Sequence, residues 1–250
     1  MKRPGRRHIV SILSRFMPYL SDDWRELVSR QIHPKNSRAR EGVKQYLRPD
    51  ISVESFFRRL DDEGIRVVVL RWFETLPHVE PGHDLDILIA DNAVDRVQAM
   101  MSCWPEGQRV DCYSETGVDG TGYLPPSAQN APAFPSDIAA TILGTARRCE
   151  GGWWVPGPRE HALALAYHAI YLKGYASGLP PDNQTAPTTI GSHDYSAVLT
   201  ELTARTGIPL EQPVTMWSLD RMLAREGWRP PPDHLRQLAA RNPWIDSELL

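Results

Sequence analysis

Two short apolar segments constrain the fold of this chain most strongly: IRVVVLRW at 65–72 and LDILI at 85–89. Both are rich in β-branched and aliphatic residues, and loop-forming residues separate them, so each is a predicted strand. The second segment follows the sequence GHD, which places Asp84 and Asp86 at its start. Aspartate is depleted in strands. Two aspartates at the start of a buried strand therefore need a reason other than strand formation.

The spacing of these two acids suggests a shared chemistry. Side chains alternate between the faces of a strand, so Asp84 and Asp86 point to one face while the intervening aliphatic residues point to the other. Neighbouring carboxylates raise each other's pKa unless a cation lies between them. Mg²⁺ prefers hard oxygen ligands and commonly binds one or two carboxylates together with substrate phosphates. Asp111, in a further predicted strand at 107–114, would complete a metal site if that strand lay alongside.

The composition is that of an ordinary globular protein, with 41% hydrophobic and 24% charged residues among 250. No apolar stretch approaches the roughly 20 residues that a membrane-spanning helix needs. The three cysteines, Cys103, Cys112 and Cys149, lack metal-ligand or C-x-x-C spacing, which is typical of thiols in a reducing compartment. The first residues lack an uninterrupted apolar run and a small-residue cleavage site. We therefore expect a cytoplasmic protein without a transmembrane segment.

Three regions differ in pattern and predict the domain organisation. Residues 1–48 contain twelve Lys or Arg against four Asp or Glu and two amphipathic segments, which predicts a basic N-terminal helical arm. Such an arm is typically a solvated surface, and contact with nucleic acid is the alternative. Residues 49–150 alternate helical and strand patterns, as expected for a small α/β core covered by helices. Residues 151–250 are mostly helical. The helices predicted there cover 158–174, 194–206, 214–226 and 232–241.

The sequence VVVLRWFETLPHVEPGHDLDILI, with a third acid on a later strand, resembles the core of the DNA polymerase β-like nucleotidyltransferases. Members of this superfamily carry a hydrophobic strand, a glycine-containing turn and a D-x-D strand flanked by aliphatic residues. The resemblance covers roughly residues 51–115, and the whole chain is similar to bacterial nucleotidyltransferase-like proteins associated with surface-polysaccharide biosynthesis. It implies an α+β fold, in which a small mixed β-sheet core is covered by helices and followed by a helical C-terminal region.

The same resemblance implies a reaction and a set of ligands. Asp84 and Asp86 would bind Mg²⁺ or Mn²⁺, and Asp111 would be a third metal ligand or the base that deprotonates the acceptor hydroxyl. The implied reaction moves a nucleoside monophosphate from an NTP, such as ATP, to a small-molecule or glycan-related acceptor. In this superfamily a helical region after the core often supplies a cation to the triphosphate, and His168 or Lys173 fits that role.

One part of the superfamily pattern is missing. The Gly-Ser pair that holds the nucleotide phosphates is replaced after the first strand by Arg71 and Trp72, and His83 precedes the first aspartate. Arg71 would supply an electrostatic contact with phosphate, His83 a hydrogen bond, and Gly82 a close approach of the substrate to the strand. Loss of the Gly-Ser pair is also expected in a degenerate nucleotidyltransferase fold that binds a nucleotide or a partner without turnover.

A different enzyme class fits another set of residues. His168, the pair His193–Asp194 and Asp220 follow the H…HD…D order of HD-type phosphohydrolases, whose metal ligands lie on helices. However, the sequence GSHDYS is well explained as a helix cap. Histidines on a mostly apolar helix, such as the predicted helix at 158–174, are also more often satisfied interior residues than metal ligands.

Overall fold

The computed structural model describes residues 45–102, 107–123, 131–187 and 193–250. The two helical segments predicted within 1–44 lie outside the described residues. Among the described helices, none is both long enough and apolar enough to cross a membrane. The described chain has an α+β structure, in which helices pack against both faces of one mixed sheet.

A mixed sheet of seven strands lies at the centre of the described residues. In chain order the strands are β1 Gln45–Leu47, β2 Val67–Val69, β3 Leu85–Ile89, β4 Met101–Ser102, β5 Arg109–Ser114, β6 Arg147–Arg148 and β7 Trp154–Val155. Their spatial order is β4-β1-β5-β3-β2-β7-β6. The pairs β3 with β5 and β2 with β7 are parallel, and the other four pairs of neighbouring strands are antiparallel.

Eight α-helices accompany this sheet among the described residues. In chain order they are α1 Val53–Asp62, α2 Val94–Ala99, α3 Ser136–Thr145, α4 Pro158–Tyr167, α5 Tyr195–Thr206, α6 Met216–Arg225, α7 Pro232–Ala239 and α8 Pro243–Glu248. A 3₁₀ turn at Asp91–Ala93 leads into α2. After α4 the chain continues as a π-helix, His168–Lys173, and a 3₁₀ turn, Gly174–Ser177.

One face of the sheet packs against α1 and α2 in a layer of aliphatic and aromatic side chains. The hydroxyl of Ser52 accepts a hydrogen bond from the N–H of Ser55 (3.1 Å) and so caps α1. The helix then buries Phe56, Phe57 and Leu60, which lie on one side of it, in this layer. Full burial of each of these side chains stabilises the fold by roughly 2 kcal/mol.

The opposite face of the sheet packs against the C-terminal helices. Helix α4 is at the centre of this layer, and all its residues from His161 to Tyr167 are buried, which explains why it is apolar on every side. Leu88 of β3 and Tyr113 of β5 belong to the same layer. Because side chains alternate along a strand, Asp86 and Asp111 also point toward the C-terminal helices.

The helix, strand, strand, helix and strand predicted between residues 51 and 114 are all present in that order, and a two-residue strand that the sequence does not predict, β4, lies between α2 and β5. The sheet is larger than the three strands predicted in the core, because β1, β4, β6 and β7 extend it. β1 and β7 come from either side of the predicted 49–150 core, whose boundaries stay predictions. Helix α3 is an additional element that the sequence pattern does not predict. Cys112 is buried and Cys149 is partly buried, and both are free thiols.

Candidate functional site

Three carboxylates, those of Asp84, Asp86 and Asp111, occupy one face of the two central strands, which we call the acid face. Asp86 and Asp111 are register partners on the parallel strands β3 and β5, whose backbones lie about 4.8 Å apart. Asp84 precedes Asp86 by two residues, so alternation assigns it to the same face. Leu85 and Ile87 belong to the layer on the opposite face. The structure therefore brings together the three acids that the sequence singles out.

Arg71 forms a buried ion pair with Asp86. Its guanidinium Nη2 contacts Oδ1 of Asp86, and the two side chains are only 5% and 8% exposed. Arg71 lies two residues beyond β2, and the N–H of the intervening Leu70 donates a hydrogen bond to the carbonyl of Asp86 (3.0 Å). This backbone contact fixes the end of β2 beside the acid. Arg71 is thus held in place by the sheet itself.

The pKa values of this pair show how burial and charge act together. Burial lowers the pKa of Arg71, but the nearby acidic groups, Asp86 first and then Tyr113, Tyr195 and Asp111, more than offset this effect and the pKa is raised. Burial raises the pKa of Asp86 to about 7; Arg71 opposes this rise, and the carboxylates of Asp111 and Asp84 add to it. A buried carboxyl group crowded by other acids is the environment that a bound divalent cation would relieve.

Arg109 links the other two acids. Its Nη1 lies 2.9 Å from Oδ2 of Asp84, and its Nη2 lies 3.4 Å from Oδ1 of Asp111. The side chains of Arg109 and Asp111 are each 32% exposed and that of Asp84 is 22% exposed. The site therefore has an inner, buried pair formed by Arg71 and Asp86, and an outer, partly exposed group held together by Arg109.

The π-helix after α4 carries two further basic side chains to the site. Burial and the charge of Arg71 lower the pKa of Lys173, while the nearby carboxylates, Asp86 first, oppose that change. Burial, followed by the charges of Arg71 and Lys173, holds the pKa of His168 well below its usual value, so this imidazole is neutral. Its Nδ1 has no hydrogen-bond partner within the described part of the chain. Both predicted residues therefore lie within electrostatic range of Arg71.

Asn242 holds this π-helix in place from the start of α8. Its side-chain amide donates hydrogen bonds to the carbonyls of Ile170 (2.7 Å) and Tyr171 (3.0 Å), and the residue is fully buried. Gly174 follows the π-helix with a φ of +56°, and a Cβ there would clash with the amide of Asn242. π-Helical turns are frequent at functional sites. Here Asn242 fixes the backbone that carries Lys173.

Aromatic and imidazole rings form the rim of the site. The rings of Trp72 and His193 are stacked, with centroids 4.0 Å apart and an interplanar angle of 18°. The ring of His83, which directly precedes Asp84, lies 5.2 Å from that of His193. Gly82 has a φ of +89°, which favours glycine, and the space where its Cβ would lie is open. The predicted residues His83 and Gly82 thus lie at the rim.

His161 is an interior histidine. It is 9% exposed, and its ring packs 4.8 Å from that of Phe73. Burial, together with the charge of Arg147, lowers the pKa of His161 to about 4. The general expectation that histidines on this apolar helix are interior residues describes His161 well, whereas His168 is both buried and adjacent to the charged groups of the site.

We expect His161→Gln to reduce the loss of stability that acid causes. The pKa of histidine is about 6.5 in the unfolded chain and about 4 in the folded protein. Between these values the unfolded chain binds one more proton, so lowering the pH favours unfolding by roughly 1.4 kcal/mol per pH unit at this residue. Urea denaturation between pH 6.5 and 4.5 measures the effect. Equal slopes of the free energy of unfolding against pH in both proteins would contradict it.

Two of the residues that the phosphohydrolase alternative needs as metal ligands instead make contacts that stabilise the fold. The carboxylate of Asp194 accepts a hydrogen bond from the N–H of Ala197 (3.0 Å) and caps α5. Asp220 accepts a hydrogen bond from the hydroxyl of Tyr171 (2.6 Å) and another from Nε of Arg229 (3.1 Å). These contacts stabilise helix ends and helix packing, and none of them favours a metal-dependent hydrolase.

The donor chemistry of the three acids fits Mg²⁺ or Mn²⁺. Within the described ranges, no group of three or more His, Cys, Asp or Glu side chains is arranged as a ready metal site. Each of the three acids has a cationic partner, because Arg109 bridges Asp84 and Asp111 while Arg71 contacts Asp86. Carboxylate oxygens on adjacent strands are nevertheless the ligands these ions prefer. Arg109 is the more exposed of the two arginines, with 32% of its side chain exposed against 5% for Arg71.

Comparison with known proteins does not assign this site to a family. No family model, curated protein or solved structure matches the chain. The resemblance of residues 51–115 to nucleotidyltransferases therefore stays an expectation.

Two residues of the site have no role predicted from the sequence: Arg109, and Trp72, which is noted only as part of the replacement for the Gly-Ser pair. Arg109 precedes Asp111 by two residues on a strand, so the same alternation that pairs Asp84 with Asp86 places it on the acid face. That signal is readable from the sequence. Trp72 gives no comparable signal, because its position depends on the backbone conformation of a loop.

Proposed function

We propose that this chain is a Mg²⁺-dependent nucleotidyltransferase, which moves a nucleoside monophosphate from an NTP to an acceptor hydroxyl. The observation that supports it best is the pairing of Asp86 with Asp111 on parallel strands, with Asp84 on the same face. The cationic groups of Arg71 and Lys173 lie around these acids. Acids for a metal ion beside cations for phosphates are the components that phosphoryl-transfer chemistry uses.

The proposed reaction exchanges a phosphoanhydride bond of the NTP for a phosphoester bond to the acceptor. The acceptor oxygen forms a bond to the α-phosphorus, the bond from that phosphorus to the bridging oxygen breaks, and pyrophosphate leaves. A divalent cation, when bound, would supply stabilisation of the negative charge that develops in the reaction. Asp84 and Asp86 would hold the metal, and Asp111 would either complete the ligand set or accept the proton of the acceptor hydroxyl. Arg71 and Lys173 stabilise the negative charge of the phosphates.

The acceptor class comes from the motif resemblance, which favours a small molecule or a glycan-related hydroxyl. The test is to incubate the protein with each NTP, Mg²⁺ or Mn²⁺, and sugar-phosphate acceptors, and to measure pyrophosphate. Release that requires the divalent cation and stops in Asp84→Asn supports the proposal. Absence of release with every NTP, together with nucleotide binding that is unchanged in Asp84→Asn, counts against it.

We expect Arg109→Gln to tighten Mg²⁺ binding about tenfold. The guanidinium occupies the space between Asp84 and Asp111, and removing a positive charge a few ångströms from a metal ion is worth about 1.4 kcal/mol or more. Isothermal titration with Mg²⁺ measures the affinity. Arg96→Gln is the control, since it makes the same charge change at an exposed ion pair on α2. A Mg²⁺ affinity that is unchanged or weaker in Arg109→Gln would argue against the idea that Arg109 opposes metal binding.

A nucleotide-binding protein without turnover is the second candidate. The observation that favours it is the pairing of all three acids with arginines: Arg71 with Asp86, and Arg109 with Asp84 and Asp111. Internal neutralisation of this kind stabilises the carboxylates without a metal ion. It predicts NTP binding that persists in Asp84→Asn and no release of pyrophosphate by the wild type.

A further inference from the structure

Trp72 has a backbone conformation that is unusual for its residue type. Its φ is +54°, and it is the single non-glycine residue with a positive φ in the part of the chain that the structure describes. A bulky side chain in this region is strained and persists only where the surrounding structure determines it. Residues held in this way concentrate at ligand sites.

Trp72 and its neighbour Arg71 differ in their surroundings. Arg71 is directed into the interior, where it pairs with Asp86. The next residue, Trp72, is only partly buried and packs against the C-terminal core. Two adjacent side chains therefore lie in different environments: a buried cation beside the acids, and an indole at the rim.

The indole of Trp72 already carries a stacked planar ring. The imidazole of His193 lies 4.0 Å from it at an angle of 18°, and the ring of Tyr195 contacts it edge-on at 6.0 Å. His83, directly before Asp84, lies 5.2 Å from His193 and so joins the stack to the acids. Burial first, and then the charges of His83 and other neighbours, lower the pKa of His193. The stacked imidazole is therefore an uncharged planar heterocycle at pH 7.

We propose that Trp72 is the stacking surface for the base of a nucleotide, and that the base takes the position that the imidazole of His193 occupies here. This inference rests on the proposed function, because it assigns the phosphates of the same nucleotide to Arg71. Adjacent residues then recognise the two chemically different parts of one ligand, an anionic group and a planar ring. Stacking on an aromatic side chain tolerates any base, so ATP and the other NTPs all use this surface.

Trp72→Leu separates recognition of the base from recognition of the phosphates. Loss of the aromatic surface weakens ATP binding about tenfold. Binding of inorganic tripolyphosphate, which has no base, stays unchanged. Isothermal titration in the presence of Mg²⁺ measures both affinities. A variant that loses affinity for both ligands, or for neither, overturns the inference.

Two further variants control for folding and for the loss of any tryptophan. Trp72→Phe keeps an aromatic surface and retains most of the ATP affinity; loss equal to that in Trp72→Leu overturns the inference. Trp154→Leu removes another partly buried indole, whose ring lies 4.4 Å from the guanidinium of Arg66 and 4.6 Å from that of Arg148. It binds ATP as the wild type does; a loss equal to that in Trp72→Leu also overturns the inference.

His193→Ala tests where the base binds. Removal of the imidazole exposes the surface of Trp72, so ATP binds as tightly as to the wild type or more tightly. A loss of more than about threefold would mean that the base stacks on His193, and it overturns the placement. If ATP binding is lost selectively in Trp72→Leu but the wild type releases no pyrophosphate, the stacking inference is supported and the proposed nucleotidyltransferase activity is refuted. If the wild type releases pyrophosphate and the KM for ATP is unchanged in Trp72→Leu, the activity is supported and the stacking inference is overturned.

Discussion

Asp86→Asn is expected to lower metal-dependent pyrophosphate release by at least about 1000-fold, which corresponds to about 4 kcal/mol of transition-state stabilisation. Asp86 is the most buried of the three acids; it follows Asp84 by two residues and is the register partner of Asp111. An amide has almost the same shape but carries no charge, so it is a much poorer ligand for Mg²⁺. Initial rates with saturating ATP and Mg²⁺ measure the effect.

Two controls separate lost chemistry from lost structure. Asp95→Asn makes the same chemical change at an exposed position on α2, which packs against the other face of the sheet, and should leave the rate within about twofold of the wild type. Circular dichroism at the assay temperature shows whether Asp86→Asn is folded, since the change also leaves Arg71 without its partner. A folded Asp86→Asn protein with wild-type release would refute a catalytic role for this acid.

Arg71→Met is expected to lower the free energy of unfolding by about 3–5 kcal/mol, because it leaves the carboxylate of Asp86 buried without its counter-ion. The loss should grow as the pH rises above 7. The pKa of Asp86 is raised to about 7 in the wild type, and removal of Arg71 raises it further. In that range the folded variant binds a proton that the unfolded chain does not, so a higher pH favours unfolding. Urea denaturation at pH 6.5 and 8.5 measures both effects.

The double variant Arg71→Met/Asp86→Asn identifies the source of that loss. Removing both charges leaves no unpaired buried ion, so the double variant should recover at least about 2 kcal/mol relative to the sum of the single changes. Arg96→Met is the matched control, because Arg96 pairs with Glu63 in an exposed setting and should change stability by less than about 1 kcal/mol. Strict additivity of the two buried changes would mean that Arg71 and Asp86 do not interact energetically.

The acid face is the part of the site that the sequence predicts best. Alternation along one strand places Asp84 and Asp86 together, and a third acid on a later strand falls beside them once the two strands are neighbours. The physical reason is that strand periodicity is fixed by the backbone and does not depend on tertiary contacts. The same reasoning, extended by two residues from Asp111, predicts Arg109 on this face.

Other features depend on contacts between distant parts of the chain. The π-helix His168–Lys173 needs the amide of Asn242, which is some 70 residues away in sequence and bonds to the carbonyl of Ile170. The burial of Arg71 depends on the C-terminal layer, and the conformation of Trp72 on the loop after β2. Local propensity carries no information about such contacts. Strands of two or three residues, such as β6 and β7, are also too short to show a periodic pattern.

The position of a bound divalent ion tests the proposed nucleotidyltransferase site most directly. Crystals grown with Mn²⁺ and ATP would show the ion by its anomalous scattering. We expect a peak within about 2.2 Å of carboxylate oxygens of Asp84 and Asp86, with Arg109 displaced from its bridging position and the phosphates beside Arg71. A peak elsewhere, or no peak with Arg109 still bridging Asp84 and Asp111, would contradict a metal-dependent site formed by these acids.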